Sequence, residues 1–308
     1  MATTNGPVTL EKYVDKYTSE LDKKVMAGTK TADLNMNQDL LGKLSNAGSI
    51  EVATIEMDGL AKHTRNSGYV PGNVSLNWEP IKLEYERSRE FYVDATDDEE
   101  TDAVLSANLM AEFVRTKVVP EVDAVRFGRL AKLAGTKVNA SLTADTVVAA
   151  VRAAETKLED MGVDLNDCVM YCSAAVRNLL RDDQTWRASF GQDPDTRIGR
   201  YDGMKIVVPT AATFKTAFKL LDGTDHTGSS GGSDETKGGF EPATGAKDIN
   251  FMVVRPDAVG AITKHQELRY FAPRVNQKMN SHLWQYQLYH DLVSYKNKAD
   301  LVYLHAKA

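Results

Sequence analysis

The side chains able to do chemistry are few and scattered. Histidines stand at 63, 226, 265, 282, 290 and 305, each on a separate stretch of chain. His290 has a carboxylate beside it, Asp291, and neighbours on a strand point to opposite faces, so the two make no dyad. Cys168 and Cys172 sit in the apolar run CVMYC. On a strand they would share a face about 13 Å apart at roughly 3.3 Å per residue, too far for a disulfide. Two thiols are also too sparse for a zinc site, and they read as reduced core thiols of a protein made in a cytosol. The acidic run Asp97-Asp98-Glu99-Glu100 invites a metal, but at a helix start it is explained by the positive end of the helix dipole. The Gly-Ser stretch after Asp222 lacks the spacing and the Lys-Ser/Thr ending of a phosphate loop. There is no GxSxG elbow, HExxH pair or dinucleotide fingerprint. The residues point to no catalytic residue, no metal and no cofactor.

What the chain does specify is an unusual order of elements, organised around the stretch from Thr96 to Gly135. Thr96 and Glu99 form a capping box. Leu105, Leu109, Phe113, Val118, Val122, Val125, Leu130 and Leu133 then recur at helical spacing. Pro120 should kink or restart the helix, and Gly135 should supply a left-handed stop. A straight helix of this length spans about 50–60 Å at 1.5 Å per residue, which makes it a spine rather than a compact core helix.

Before the spine, residues 8–26 form an amphipathic helix and 27–50 a polar continuation, readable either as a domain's first helix or as an arm onto a neighbouring subunit. Residues 51–93 alternate as strands: Ile55 and Met57, then Val74, Leu76 and Trp78, then Leu83 and Tyr85, with Glu84, Glu86, Arg87 and Arg89 carrying charge toward the spine. These predict a long two-stranded hairpin that must pack on something else, since an isolated ribbon is marginal in water. Leu76, Trp78, Leu83, Glu84, Tyr85, Glu86, Arg87 and Arg89 are therefore the candidate inter-subunit contacts, with the charges expected to pair across subunits. After the spine comes an α/β region, interrupted at 222–247 by a polar Gly/Ser/Thr segment expected to be a flexible surface insertion. PDAVGAI reads as a short helix, and HLWQYQLYHDLVSY with ADLVYLHA as a terminal hairpin.

The 308 residues are enough for two domains. A net charge of −6 argues against a dedicated nucleic-acid groove. The sequence contains neither a secretory signal nor an apolar run of membrane-spanning length.

In order and in detail the chain resembles the major capsid proteins of tailed bacteriophages, the HK97-like family. The segments that carry the likeness are IEVATIEMDGLAKHTRNSGYVPGNVSLNWEP through EYERSREFYVD, EFVRTKVVPEVDAVRFGRLAKLAG, and QLYHDLVSYKNKADLVYLHA. The resemblance implies an α+β fold with an N-terminal arm (1–50), an extended hairpin loop (51–93), a peripheral domain of spine helix and terminal strands (94–136 and 255–308), and an axial domain (137–254). It implies a structural shell subunit, not an enzyme, forming hexamers and pentamers of an icosahedral head around double-stranded DNA. Its partners would be a separate scaffold protein, a portal and a decoration protein, with no membrane. It would be made in the host cytoplasm and end in the virion. A cross-linking lysine cannot be assigned, although Lys62 and Lys82 lie in the hairpin. Two other readings are an encapsulin-like compartment shell and an α/β enzyme with an unrecognised site.

Overall fold

A computed structural model describes residues 28–36, 49–63, 69–95, 104–182, 199–228, 232–294 and 298–308. The expected helix at 8–26, the capping box at Thr96 and the acidic run 97–100 lie outside the described residues.

The spine is helical from 104 to 133: α1 (Val104–Phe113), a π-helical turn (Val114–Val118) and α2 (Val119–Leu133). Both junctions keep right-handed helical dihedrals. Pro120 cannot donate, so Thr116, four residues back, has no ordinary helical partner. The chain responds with a π turn in which the Val119 N–H reaches the Val114 carbonyl, five residues back. Pro120 then sits in the first turn of α2, where a missing N–H costs nothing. The expected break is thus an adjustment of helix pitch. Gly135 does not adopt a left-handed conformation; Ala134 ends the helix in an extended conformation. Glycine is needed at 135 for closeness, because a Cβ there would stand 2.7 Å from Asp300 Cα.

Two sheets share this helix. The first has six strands in the order β4-β13-β10-β5-β7-β6. These are β4 (Thr136–Asn139), β5 (Val169–Cys172), β6 (Arg200–Tyr201), β7 (Met204–Val207), β10 (Ile249–Val254) and β13 (Val302–Ala306). Strand alternation divides its side chains between two cores. Val169, Tyr171, Met252 and Val254 pack with Phe127, Leu130 and Ala131 of α2. Met170, Cys172, Phe251 and Val253 pack on the other face with α3 (Ala144–Glu159) and α4 (Ala174–Asp182). Both cysteines are free and buried there. Burial lifts their thiols to about 11 for Cys168 and about 12 for Cys172, so both stay protonated and unreactive.

The second sheet is antiparallel, ordered β11-β12-β3, with β3 (Tyr85–Asp94), β11 (Val259–Phe271) and β12 (Ser281–Ser294). Its Leu268, Tyr286 and Leu288 pack with Met110, Val114, Val118 and Val122, the earlier half of the spine. The spine therefore belongs to two cores at once.

Four expectations are corrected here. Residues 51–93 are not one hairpin: β1 (Ser49–Met57) and β2 (Val74–Lys82) form a two-stranded ribbon, whereas β3 leaves it to pair with β12. No terminal hairpin forms, because β12 lies between β11 and β3 while β13 lies between β4 and β10. PDAVGAI is a 3-10 turn (Pro256–Ala258) opening directly into β11. The segment 222–247 also has regular structure. It contains β9 (Gly239–Pro242), paired with β8 (Phe218–Leu221), and Phe240 meets Phe218 edge-on at 5.6 Å. No helix among the described residues is long and apolar enough to cross a membrane.

One buried group on α3 sets a pH dependence. Glu155 is 6% exposed and its Oε1 has no partner among the described residues. Burial, with Asp202 and Glu159 nearby against a weaker pull from Arg152, pushes its carboxyl up to about 7. A folded-state value above the unfolded one means the folded chain holds the proton more tightly. Stability is therefore lost as pH rises from about 4.3 to 7. Glu155→Gln should be neutral at pH 4 and stabilising by about 3–4 kcal/mol at pH 8, read by urea unfolding at both pH values.

Candidate assembly site

The ribbon β1–β2 projects from the body of the chain, nine residues a side and therefore about 30 Å long. In its register Leu76 lies opposite Ile55 and Trp78 opposite Ala53. Leu76 and Trp78 are 54% and 52% exposed, and Val74, Met57, Val70 and Tyr69 are exposed beside them. A run of large apolar side chains facing water marks an interaction surface. At its base the ribbon is anchored: Leu83 is buried with Ile262 and Val293, and Ile81, Met36 and Tyr289 pack around them.

The candidate contact residues thus separate into two groups. Leu76 and Trp78 lie on the free face. Leu83, Glu84, Tyr85, Glu86, Arg87 and Arg89 lie at the root, where their charges are engaged within the chain. Asp291, fully buried, accepts the Glu84 backbone N–H at 3.1 Å, and Arg129 from α2 donates to both its carboxylate oxygens at 3.1 and 3.2 Å. Arg129 also pairs with the Glu84 carboxylate at 2.9 Å and lies over the Tyr85 ring. Arg87 pairs with Glu121 at 2.6 Å and donates to the carbonyls of Leu221 and Gly239. Arg89 donates to the Thr236 carbonyl, and Glu86 accepts from Gln287. The root of the ribbon is thereby tied to the spine, to β12 and to the β8–β9 hairpin.

Burial controls the ionisation of this network. Desolvation raises the Asp291 carboxyl despite Arg129. Desolvation, helped by Arg126 and Arg87, pushes His290 down to about 3, so its imidazole, stacked on Tyr85, is neutral. Nearly two turns before Arg129 on α2, Asp123 accepts the N–H groups of Lys30 and Thr31 and the Thr31 hydroxyl. Arg126 donates to the Thr31 and Thr263 hydroxyls. The segment 28–36 is therefore latched to its own spine. Sequence reading missed Asp123, Arg126, Arg129 and the structural use of Asp291. The legible sign was Asp123 and Arg126 standing inside the helix's apolar stripe, between Val122 and Leu130.

No protein-family model matches the sequence, and no curated protein matches it. Solved structures do match. The chain superposes on the capsid structure of cyanophage P-SCSP1u with a TM-score of 0.59 and 12% identity, covering 90% of this chain and 87% of that one. A structure from Gordonia phage Cozz gives 0.57 and 14%, covering 92% and 86%. A virus-like particle from Pyrococcus furiosus gives 0.53 and 11%, covering 96% and 99%. The fold is the HK97-like capsid fold. Within this HK97-like chain, the solvent-facing apolar surface is on the ribbon and the buried charges are at its root. The separation suits a projecting element held at a fixed angle. The large apolar side chains face solvent, while the charges fix the ribbon's direction.

Proposed function

We propose that this chain is the major capsid subunit of a tailed-phage head. Copies assemble into hexamers and pentamers of an icosahedral shell around double-stranded DNA. The observation that carries this reading is the ribbon: a projecting two-stranded element with Leu76 and Trp78 half exposed is poor design for a monomer and good design for a subunit completed by its neighbours. The HK97-like fold, shared with phage capsids over most of the chain, supports it. A separate scaffold protein, a portal and a decoration protein are the partners such a head requires, and the virion is its destination. The net charge of −6 fits a container that must not grip its genome tightly.

A second reading, a compartment shell enclosing a cargo enzyme, is favoured by the match to a virus-like particle over 96% of the chain. Negative-stain microscopy of the purified chain separates a shell protein from a small oligomer with enzymatic activity. Closed particles or ring-shaped capsomers are expected; a monodisperse monomer or dimer at all concentrations overturns the proposal. Co-expression with the neighbouring genes then distinguishes a DNA-filled head from a cargo-filled compartment.

A further inference from the structure

We propose that the loop joining β8 to β9 binds one divalent transition-metal cation through Asp222, His226 and Glu235. One ligand atom from each residue comes within 4.8 Å of the others. Metal–ligand bonds of about 2.0–2.2 Å place ligands up to about 4 Å apart, so under an ångström of side-chain movement closes the set around an ion.

The three residues come from both limbs of the loop, and the backbone holds those limbs in register. The His226 N–H donates to the Ser233 carbonyl and the Glu235 N–H to the Thr224 carbonyl, with a bridge between Asp225 and Asp234. Gly232 lets the returning limb pass so close to the His226 carbonyl that a Cβ would collide with it.

Each side chain presents one atom to the common point. Asp222 uses Oδ1 for the Thr224 N–H and hydroxyl, which leaves Oδ2 facing His226 Nε2 at 2.8 Å. The Glu235 side chain is 7% exposed, and its Oε1 is held by the Lys219 ammonium and the Ser233 hydroxyl. Its Oε2 accepts the Asp222 N–H at 3.2 Å and retains a lone pair. Lys219 offsets one of the two carboxylate charges, so the set carries a net −1 toward a +2 ion. An imidazole with two carboxylates selects a borderline cation such as Zn²⁺ over Mg²⁺ or Ca²⁺, which take oxygen ligands. In the metal-free loop Nε2 donates its proton to the Asp222 carboxylate and the Thr224 hydroxyl oxygen; on binding that proton goes to solvent, the neutral imidazole carries its proton on Nδ1, and Nε2 gives its lone pair to the ion. The ion would cross-link the two limbs of a loop rich in glycine and serine, where a short link removes much chain entropy.

The test is zinc titration of the purified full-length chain against a chromogenic chelator. The expected result is one Zn²⁺ per chain, with affinity unaffected by millimolar Mg²⁺. His226→Ala and Glu235→Gln should each weaken it by about tenfold or more. His226 is surface-lying, so His226→Ala should keep the metal-free melting temperature, which separates lost ligation from lost folding. Absence of stoichiometric zinc binding by the wild-type chain overturns the proposal, as does a His226→Ala variant that binds as tightly. Either outcome would make the cluster a hydrogen-bonded loop clamp only. The readout needs no particles, so its failure is independent of the assembly reading.

Discussion

Replacing Leu76 and Trp78 together by serine is expected to abolish particle formation while leaving the subunit folded. Both side chains are half exposed on the ribbon's free face and take no part in the buried clusters of the chain. Their loss should move the subunit's melting temperature by no more than about 2 °C, since surface substitutions cost about 0.5 kcal/mol or less. In an assembled shell the same atoms would be covered by a neighbour. Fully burying a leucine or an aromatic side chain contributes about 1.5–3 kcal/mol; both are already half covered, so their loss at one contact costs about 2 kcal/mol, roughly thirtyfold in association. Every subunit would carry the defect, so the losses accumulate around a closed particle. Sedimentation and negative-stain microscopy read the assembly, and circular dichroism reads the fold. Particles at wild-type yield would show that the ribbon face is not an interface. Unfolding would show that it belongs to the subunit's own core.

Asp291→Ala is expected to be the most damaging single charge removal in the subunit, at about 3 kcal/mol. The carboxylate is fully buried, receives the Glu84 N–H and both donor arms of Arg129, and has no route to water. Removing it strands a backbone donor and leaves a largely buried guanidinium with only the exposed Glu84 carboxylate as its charged partner, which is costlier than losing the pair outright. Arg129→Met in the Asp291→Ala background should recover part of the loss, and a double-mutant cycle by urea unfolding measures the coupling. A cost under about 1 kcal/mol, or no recovery, would show that Asp291 is not the hub of this network.

The spine was legible because its signal is local. The apolar positions from Leu109 to Leu133 repeat at helical spacing over several turns, and residues 104–133 are helical. The π turn was not, because Pro120 says only that one N–H is missing, and whether the chain breaks or rewinds depends on the sheet packed against it. The α+β class came from the family resemblance, whereas the alternation of Val74, Leu76 and Trp78 on the ribbon could likewise be read. Pairing partners could not. HLWQYQLYHDLVSY and ADLVYLHA both read as strands, but alternation carries no information about which distant strand each will meet. The root charges illustrate a related limit. In sequence Glu84, Arg87 and Arg89 are charges expected to pair across subunits, and only the fold places Asp291, Glu121 and the Thr236 carbonyl of the same chain against them. In 222–247 the glycines and polar residues outnumber Phe240 and hide the strand it sits on.

The position of β13 has a consequence for timing. It pairs with β10 on one side and β4 on the other, matching Tyr303 to Thr136. During synthesis, then, β4 has no place in the sheet until residues 302–306 have emerged, long after the ribbon has been made. Pairings so distant in sequence form late and slowly. The apolar ribbon is therefore exposed on a chain whose larger core is still open. Completion of that core waits for β13, which decides when the chain acquires a rigid body.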